Sequence, residues 1–136
     1  MRIVLMITVA LSMAMAEPTM VKDPKTNLIW EDTQHTTEDK VTYKEAKAYC
    51  DALKQGSFEN WRIPTLPELL SIVDYTRYDP AILKEFKHVD EDTLYWSSSP
   101  YAAHADSFWG VKFEDGATED ASQTYNRYVR CVSDVK

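Results

Sequence analysis

The sequence predicts an α+β fold, because two helix signals in the first half of the chain are followed by strand signals in the second half. Each helix signal is a capping box, at Thr42 and at Thr65, that leads into apolar residues at helical spacing. From residue 94 onwards the apolar segments are short and rich in aromatic and β-branched residues, as in strands. Helices followed by strands, without regular alternation, argue against a doubly wound parallel sheet.

Residues 1 to 16 have the features of a secretory signal peptide. Arg2 precedes an apolar stretch, and the small residues Ala14 and Ala16 suit cleavage before Glu17. A membrane anchor is the alternative, but the stretch is shorter than the about 18 to 20 residues that a spanning helix needs. We therefore expect one domain over residues 17 to 136, located in the periplasm or secreted, without membrane insertion after cleavage.

The charge of the mature chain limits its partners. The signal contains one charged residue, Arg2, so its removal leaves 14 basic residues of the original 15 against 22 acidic residues, a net charge of −8. This charge disfavours nucleic acid, sulfated glycans and anionic lipid unless basic residues cluster locally. In an exported chain the two cysteines, Cys50 and Cys131, favour one disulfide over two free thiols.

The first elements after the signal are predicted to be a hairpin and a loop. Residues 19 to 29 form two extended pieces around the turn-forming residues 23 to 27, and the second arm continues to Trp30. The polar residues 31 to 40 are expected to form a surface loop.

The helices are placed by their caps and apolar stripes. The first follows Thr42, and Gly56 is expected to end it at the position that favours a left-handed residue. The second follows Thr65 and is expected to run to about residue 74 or 75. Asp79 and Pro80 then suggest a short helical segment that continues through residue 86.

The remaining elements are predicted to be strands. They cover residues 94 to 98, 108 to 113 and 128 to 132, and Asp115 with Gly116 provides a turn. The three tryptophans Trp30, Trp61 and Trp96 are expected in the core. Trp109 is less determined, because it and Phe108 point to opposite faces of a strand and one must leave the interior if only one face is covered.

Five motifs occur in order along the mature chain: DPKTNLIW at residues 23 to 30, AxxYCxxL at 46 to 53, WRIPT at 61 to 65, YWSSS at 95 to 99 and YVRCV at 128 to 132. In this order they resemble the Lcl C-terminal domain, a family named after a bacterial collagen-like adhesin. The resemblance spans nearly the whole mature chain.

The resemblance implies a C-type-lectin-like fold in which two helices flank a small twisted antiparallel sheet. It also implies that Cys50 on the first helix bonds to Cys131 on the last strand, and it favours binding over catalysis. The calcium-binding signatures of sugar-binding lectins are absent, as are the additional cysteines of the oxidase relatives. Calcium is therefore conceivable but has no motif to support it, and we expect no cofactor.

The remaining polar patterns favour ordinary structural roles. His35, His88 and His104 lie in polar segments without metal-site spacing, so surface titration is favoured over a metal site. The acidic runs at 90 to 92, 114 to 115 and 119 to 120 do not fit a calcium loop or show a glycosidase pair, and solvated turns are favoured. The serines at 97 to 99 lack a nucleophile elbow and suit strand ends and turns.

The sequence thus favours an exported module that binds a glycan or an envelope or extracellular protein through loops between residues 95 and 125. Three of the candidate residues lie in the irregular segment 101 to 107 and three lie beyond it; they are Tyr101, His104, Asp106, Trp109, Tyr125 and Asn126. Burial of Tyr101 and Trp109 is the competing interpretation. The alternative functions are a structural component of the cell envelope and, with less support, an enzyme on the same fold.

Overall fold

The computed structural model describes residues 19 to 134, so the predicted signal peptide lies outside the described residues. These residues form two antiparallel sheets of three strands each, three helices and one disulfide. The α+β class is confirmed. The chain forms two sheets and three helices in place of the expected single sheet with two helices, because the N-terminal hairpin pairs with the last strand of the chain and not with the other three strands.

The first sheet contains the predicted hairpin. Strands β1 (Met20–Asp23) and β2 (Leu28–Glu31) are antiparallel, and β6 (Val132–Asp134) pairs with the other edge of β2. The Asp23 carboxylate accepts the Lys25 N–H at 3.0 Å and the Thr26 hydroxyl at 2.9 Å, which fixes the turn.

The second sheet is a meander of β3 (Leu94–Pro100), β4 (Ser107–Lys112) and β5 (Ala117–Ser122). The sequence did not predict β5, because the exposed residues 118 to 120 are polar and give no apolar pattern. The predicted strand 128 to 132 is wrong in its placement. Tyr128 makes an isolated parallel bridge with Tyr95, and only from Val132 does the chain pair with the first sheet.

Three helices connect the sheets: α1 (His35–Glu38), α2 (Tyr43–Ala52) and α3 (Leu66–Ser71). Both predicted capping boxes are present, at Thr42 and at Thr65. Helix α3 ends earlier than expected, because Val73 forms a bridge with Ile82 instead of continuing the helix.

Three local predictions are wrong. The predicted surface loop at 31 to 40 contains α1, and Glu31 and Asp32 at its start are buried. Gly56 does not end α2, which stops at Ala52; it lies instead in the turn between Gln55 and Phe58.

The third error is the helical segment predicted from Asp79 to Phe86. The Asp79 N–H donates to the Glu114 carbonyl at 2.9 Å, and the Ala81 N–H donates to the Phe113 carbonyl at 2.7 Å. These bonds attach the segment to the turn after β4. The Leu83 N–H, which would close the first turn of the predicted helix, donates instead to the Ile72 carbonyl at 3.0 Å.

The core lies on both faces of the central strands. One apolar cluster surrounds Trp30, and a second contains Trp61, Trp96 and the Cys50–Cys131 disulfide. The predicted burial of these three tryptophans and the predicted disulfide are confirmed. Within residues 19 to 134, each helix is too short and too polar to cross a lipid bilayer.

Candidate functional site

The predicted binding loop connects β3 to β4 and is held by backbone hydrogen bonds. The Tyr101 N–H donates to the Ser107 carbonyl at 2.9 Å, and the His104 N–H donates to the Tyr101 carbonyl at 3.2 Å. The Gln123 N–H donates to the Asp106 carbonyl at 2.7 Å, which joins this loop to the segment after β5. Both chain segments that carry predicted site residues therefore lie at the same end of the second sheet.

Two aromatic rings form the centre of this region. The Tyr101 and Trp109 rings meet edge to face with 4.8 Å between their centroids, and both side chains are half-buried. The His104 ring centroid lies 5.6 Å from that of Tyr101. His104 and Asp106 are exposed, so polar groups that can donate and accept hydrogen bonds border the ring pair.

Half-burial of Trp109 answers the question left open by the sequence. Phe108 points to the opposite face of β4, where it stacks on Tyr43 at 3.7 Å. Of the two residues, Phe108 packs against the second apolar cluster, whereas Trp109 lies half-buried against Tyr101 on the other face. Asp120, which is exposed, lies opposite Trp109 on β5.

The segment after β5 supplies the remaining predicted residues. Tyr125 is 56% exposed, and the Arg127 guanidinium carbon lies 5.4 Å from its ring centroid. Asn126 is exposed, and its carbonyl accepts a hydrogen bond from Arg127 at 2.8 Å. We call the whole region the sheet-end surface; it consists of Tyr101, His104, Asp106, Trp109, Tyr125 and Asn126.

Sequence reasoning missed a buried ion pair in another part of the fold. Arg130 is fully buried, and its Nη1 donates to Asp32 Oδ1 at 3.1 Å and to the Glu31 carbonyl at 2.6 Å. Its Nη2 donates to the His88 carbonyl, and its guanidinium lies over the Phe86 ring at 4.8 Å. The available signal was an arginine flanked by apolar residues in a strand-like run.

The buried carboxylates of this network have partners within the protein. Asp32 also accepts the backbone N–H groups of Lys87 and His88, each at 2.9 Å. Glu31 accepts the Cys131 N–H and the Tyr49 hydroxyl. Burial and, next, the Glu31 carboxylate raise the pKa of Tyr49, so this hydroxyl remains a donor. The network is therefore a structural connection between the chain before α1 and the segment before β6.

The comparison with protein families decides which group of proteins the chain resembles. The family model described as the Lcl C-terminal domain matches residues 19 to 133. The chain belongs to this family. Among curated proteins, none matches the chain. The resemblance inferred from the five motifs is thus confirmed, and the motifs can be interpreted as parts of an Lcl C-terminal domain.

In this Lcl C-terminal domain, His104 is separated in the fold from His35 and His88. His35 stacks on Tyr49 at 3.6 Å, whereas His104 lies at the sheet-end surface. An open polar cleft of about 480 Å³ lies beside the buried network, with His35 and His88 in its lining. Over residues 19 to 134, no three His, Cys, Asp or Glu side chains are grouped to hold a metal ion.

The serines of the YWSSS motif have structural partners. Ser97 is buried, and its hydroxyl oxygen accepts the Ser99 N–H at 3.2 Å. The Ser99 hydroxyl oxygen accepts the Leu66 N–H at 3.0 Å, at the first residue of α3. In this Lcl C-terminal domain the motif thus connects β3 to the start of a helix, as the structural interpretation expects.

Proposed function

We propose that this protein is an exported binding module that recognises an uncharged glycan through the sheet-end surface. The observation that supports this most directly is the half-buried Tyr101 and Trp109 pair beside the exposed His104 and Asp106. A sugar ring presents apolar C–H groups to an aromatic face and hydroxyls to polar side chains, and this surface offers both kinds of contact.

The electrostatics favour an uncharged ligand over a sulfated one. The full chain has a net charge of −7, and the sheet-end surface contains Asp106 with Asp120 beside it. Arg127, which lies against the Tyr125 ring, is the cation described at this surface. A polyanionic glycan would meet a negative field over most of the molecule.

Export is the second part of the proposal. The disulfide fits a compartment outside the reducing cytosol, and a location in the periplasm or outside the cell is consistent with the predicted signal. Membership of a family named after an adhesin supports the same location. From the family resemblance we also propose that the fold is C-type-lectin-like. An intact mass equal to that of a chain starting at Glu17, measured in an envelope or secreted fraction, would support export. A mass that includes Met1 would contradict it.

Binding is proposed over catalysis because the obvious nucleophiles have other roles. Cys50 and Cys131 are bonded to each other, and Ser97 and Ser99 accept hydrogen bonds from backbone N–H groups. A structural component of the cell envelope, which binds a neighbouring protein by the same surface, is the alternative.

The experiment combines a glycan array with a pull-down from envelope extract. Alanine at Tyr101, His104 or Asp106 should weaken binding by about tenfold while changing the free energy of unfolding by less than about 2 kcal/mol. Tyr75→Ala is the control, because it removes another surface tyrosine ring, one that lies near the other end of the second sheet.

The outcomes separate the possible functions. Glycan binding lost in the three variants and kept in Tyr75→Ala supports the proposal. A protein captured without any glycan signal, and released by the same variants, selects the envelope component. Full affinity in all three variants would show that the sheet-end surface is not the binding site.

A further inference from the structure

A second exposed aromatic surface lies at the other end of β4 and β5. Tyr75 and Tyr78 are each 70% exposed, which makes them the most exposed large aromatic side chains among residues 19 to 134. They lie in the loop of residues 74 to 80, which contacts the turn of residues 113 to 116. We call this region the tyrosine surface. Large aromatic rings that remain in water after folding are characteristic of interaction sites.

Both rings are exposed but held in place. The Tyr78 hydroxyl donates to Glu114 Oε1 at 3.0 Å. Tyr75 packs so close to Gly116 that a Cβ atom built there would lie 2.9 Å from the tyrosine ring. The Asp79 N–H donates to the Glu114 carbonyl at 2.9 Å, which attaches the loop to the turn. A partner would therefore lose little side-chain freedom in ordering these rings.

The surroundings of the rings are acidic. The pKa of Tyr78 is raised, mainly by the hydrogen bond to Glu114, and the charges of Asp79 and Asp115 add to the effect. Proximity to Asp79 is the main cause of a raised pKa at Glu91. These neighbouring acidic groups indicate an excess of negative charge at this surface.

The basic groups nearby do not balance this charge. Lys112 Nζ lies 3.2 Å from Glu114 and neutralises that carboxylate. Arg77 lies in the loop itself and contributes to lowering the pKa of Asp74, after the hydrogen bonds from Thr76. Asp79, Glu91 and Asp115 are left without a basic partner within salt-bridge distance among the residues that the structure describes.

We propose that the tyrosine surface binds an arginine- or lysine-rich segment of a partner protein. Guanidinium or ammonium groups would lie on the faces of Tyr75 and Tyr78 and pair with the carboxylates of Asp79 and Asp115. Charge complementarity selects this partner, because a neutral sugar or an apolar segment would gain nothing from the surrounding negative field. The site is distinct from the sheet-end surface and does not depend on it.

The test measures binding of an arginine-glycine repeat peptide to the folded, oxidised protein. We expect binding that weakens as salt is raised, and no binding of a glutamate-glycine repeat peptide. Alanine at Tyr75 or at Tyr78 should weaken binding of the basic peptide about two- to fivefold each, the effect of one exposed cation–π contact. The double change Asp79→Asn with Asp115→Asn should weaken it about three- to tenfold.

The matched control is Asp106→Asn with Asp120→Asn. This control also removes two negative charges by Asp→Asn substitution, but at exposed positions near the opposite end of β4 and β5. This control and Tyr125→Ala should each change affinity by less than about twofold, because they lie beyond the range of a screened charge. Thermal melts of every variant should match the parent protein.

Several outcomes would overturn the proposal. Equal losses in the two Asp→Asn pairs would show that the peptide responds only to total charge. Unchanged affinity in both tyrosine variants, or no binding of the basic peptide at low salt, would exclude the site. Glycan binding through the sheet-end surface is measured separately, so either proposal can fail while the other stands.

Discussion

Removal of the Arg130 charge is expected to be among the most destabilising changes in the domain. The informative substitution is Arg130→Met, because methionine keeps an unbranched apolar stem and removes only the guanidinium. In the native structure that group donates to Asp32 Oδ1 and to the backbone carbonyls of Glu31 and His88. All of these contacts are lost in the variant.

The magnitude follows from what is left behind. Asp32 is only 2% exposed and would become a buried carboxylate with two backbone N–H groups but no cation. Removing one partner of a buried ion pair costs about 3 to 5 kcal/mol. Against a total stability of about 5 to 15 kcal/mol, such a loss puts the variant close to unfolding.

Urea unfolding of the oxidised protein, followed by circular dichroism, provides the measurement. Arg77→Met is the control, since Arg77 is exposed and should change the free energy of unfolding by less than about 0.5 kcal/mol. Asp32→Asn should cost less in the Arg130→Met background than in the parent, because the charge it removes has already lost its partner. If Arg130→Met costs under about 1 kcal/mol, or the two changes are additive, the ion pair is not the stabilising feature described here.

Three further outcomes are expected. Reduction of Cys50–Cys131, which are 81 residues apart, should lower the free energy of unfolding by about 4 to 5 kcal/mol, and two alkylatable thiols in native protein would contradict the bond. Gly116→Ala should cost about 1 to 3 kcal/mol, because φ is +84° and its Cβ would lie 2.6 Å from a core valine methyl. Gly56→Ala has a similar φ but meets only the flexible end of a methionine, so it should cost less. Hydrogen bonds from Arg62 lower the pKa of Glu68 below the ordinary 4.5, so the ionised carboxylate stabilises the folded state. This stabilisation is complete above about pH 4.5 and is lost as the pH falls through the folded-state pKa. The difference between the urea midpoints at neutral and acid pH should therefore be smaller in Glu68→Gln than in the parent protein.

Local signals predicted the parts of the fold that depend on neighbouring residues. A capping box joins residues three apart, so Thr42 and Thr65 identify the helix starts without knowledge of the rest of the chain. The hairpin of β1 and β2 is likewise encoded by its turn. The ends of elements were less predictable, because α3 ends where Val73 pairs with Ile82 rather than where its apolar pattern stops.

Features that depend on distant residues were missed. Glu31 and Asp32 look like the start of a solvated loop until Arg130, about a hundred residues later, is placed beside them. Strand β5 is polar because it lies at the edge of its sheet and pairs through its backbone. For the sheet-end surface, the sequence located the loop, whereas the contact between Tyr101 and Trp109 required the strand register.

The placement of residues 127 to 134 has a consequence for the order of events in folding. Tyr128 bridges Tyr95 in one sheet, and Val132 pairs with Trp30 in the other. During synthesis, one edge of the β1–β2 hairpin therefore stays unpaired until nearly all of the domain has been made. We expect the domain to fold slowly and only after its last strand has been made. The two sheets should become stable together in one cooperative step.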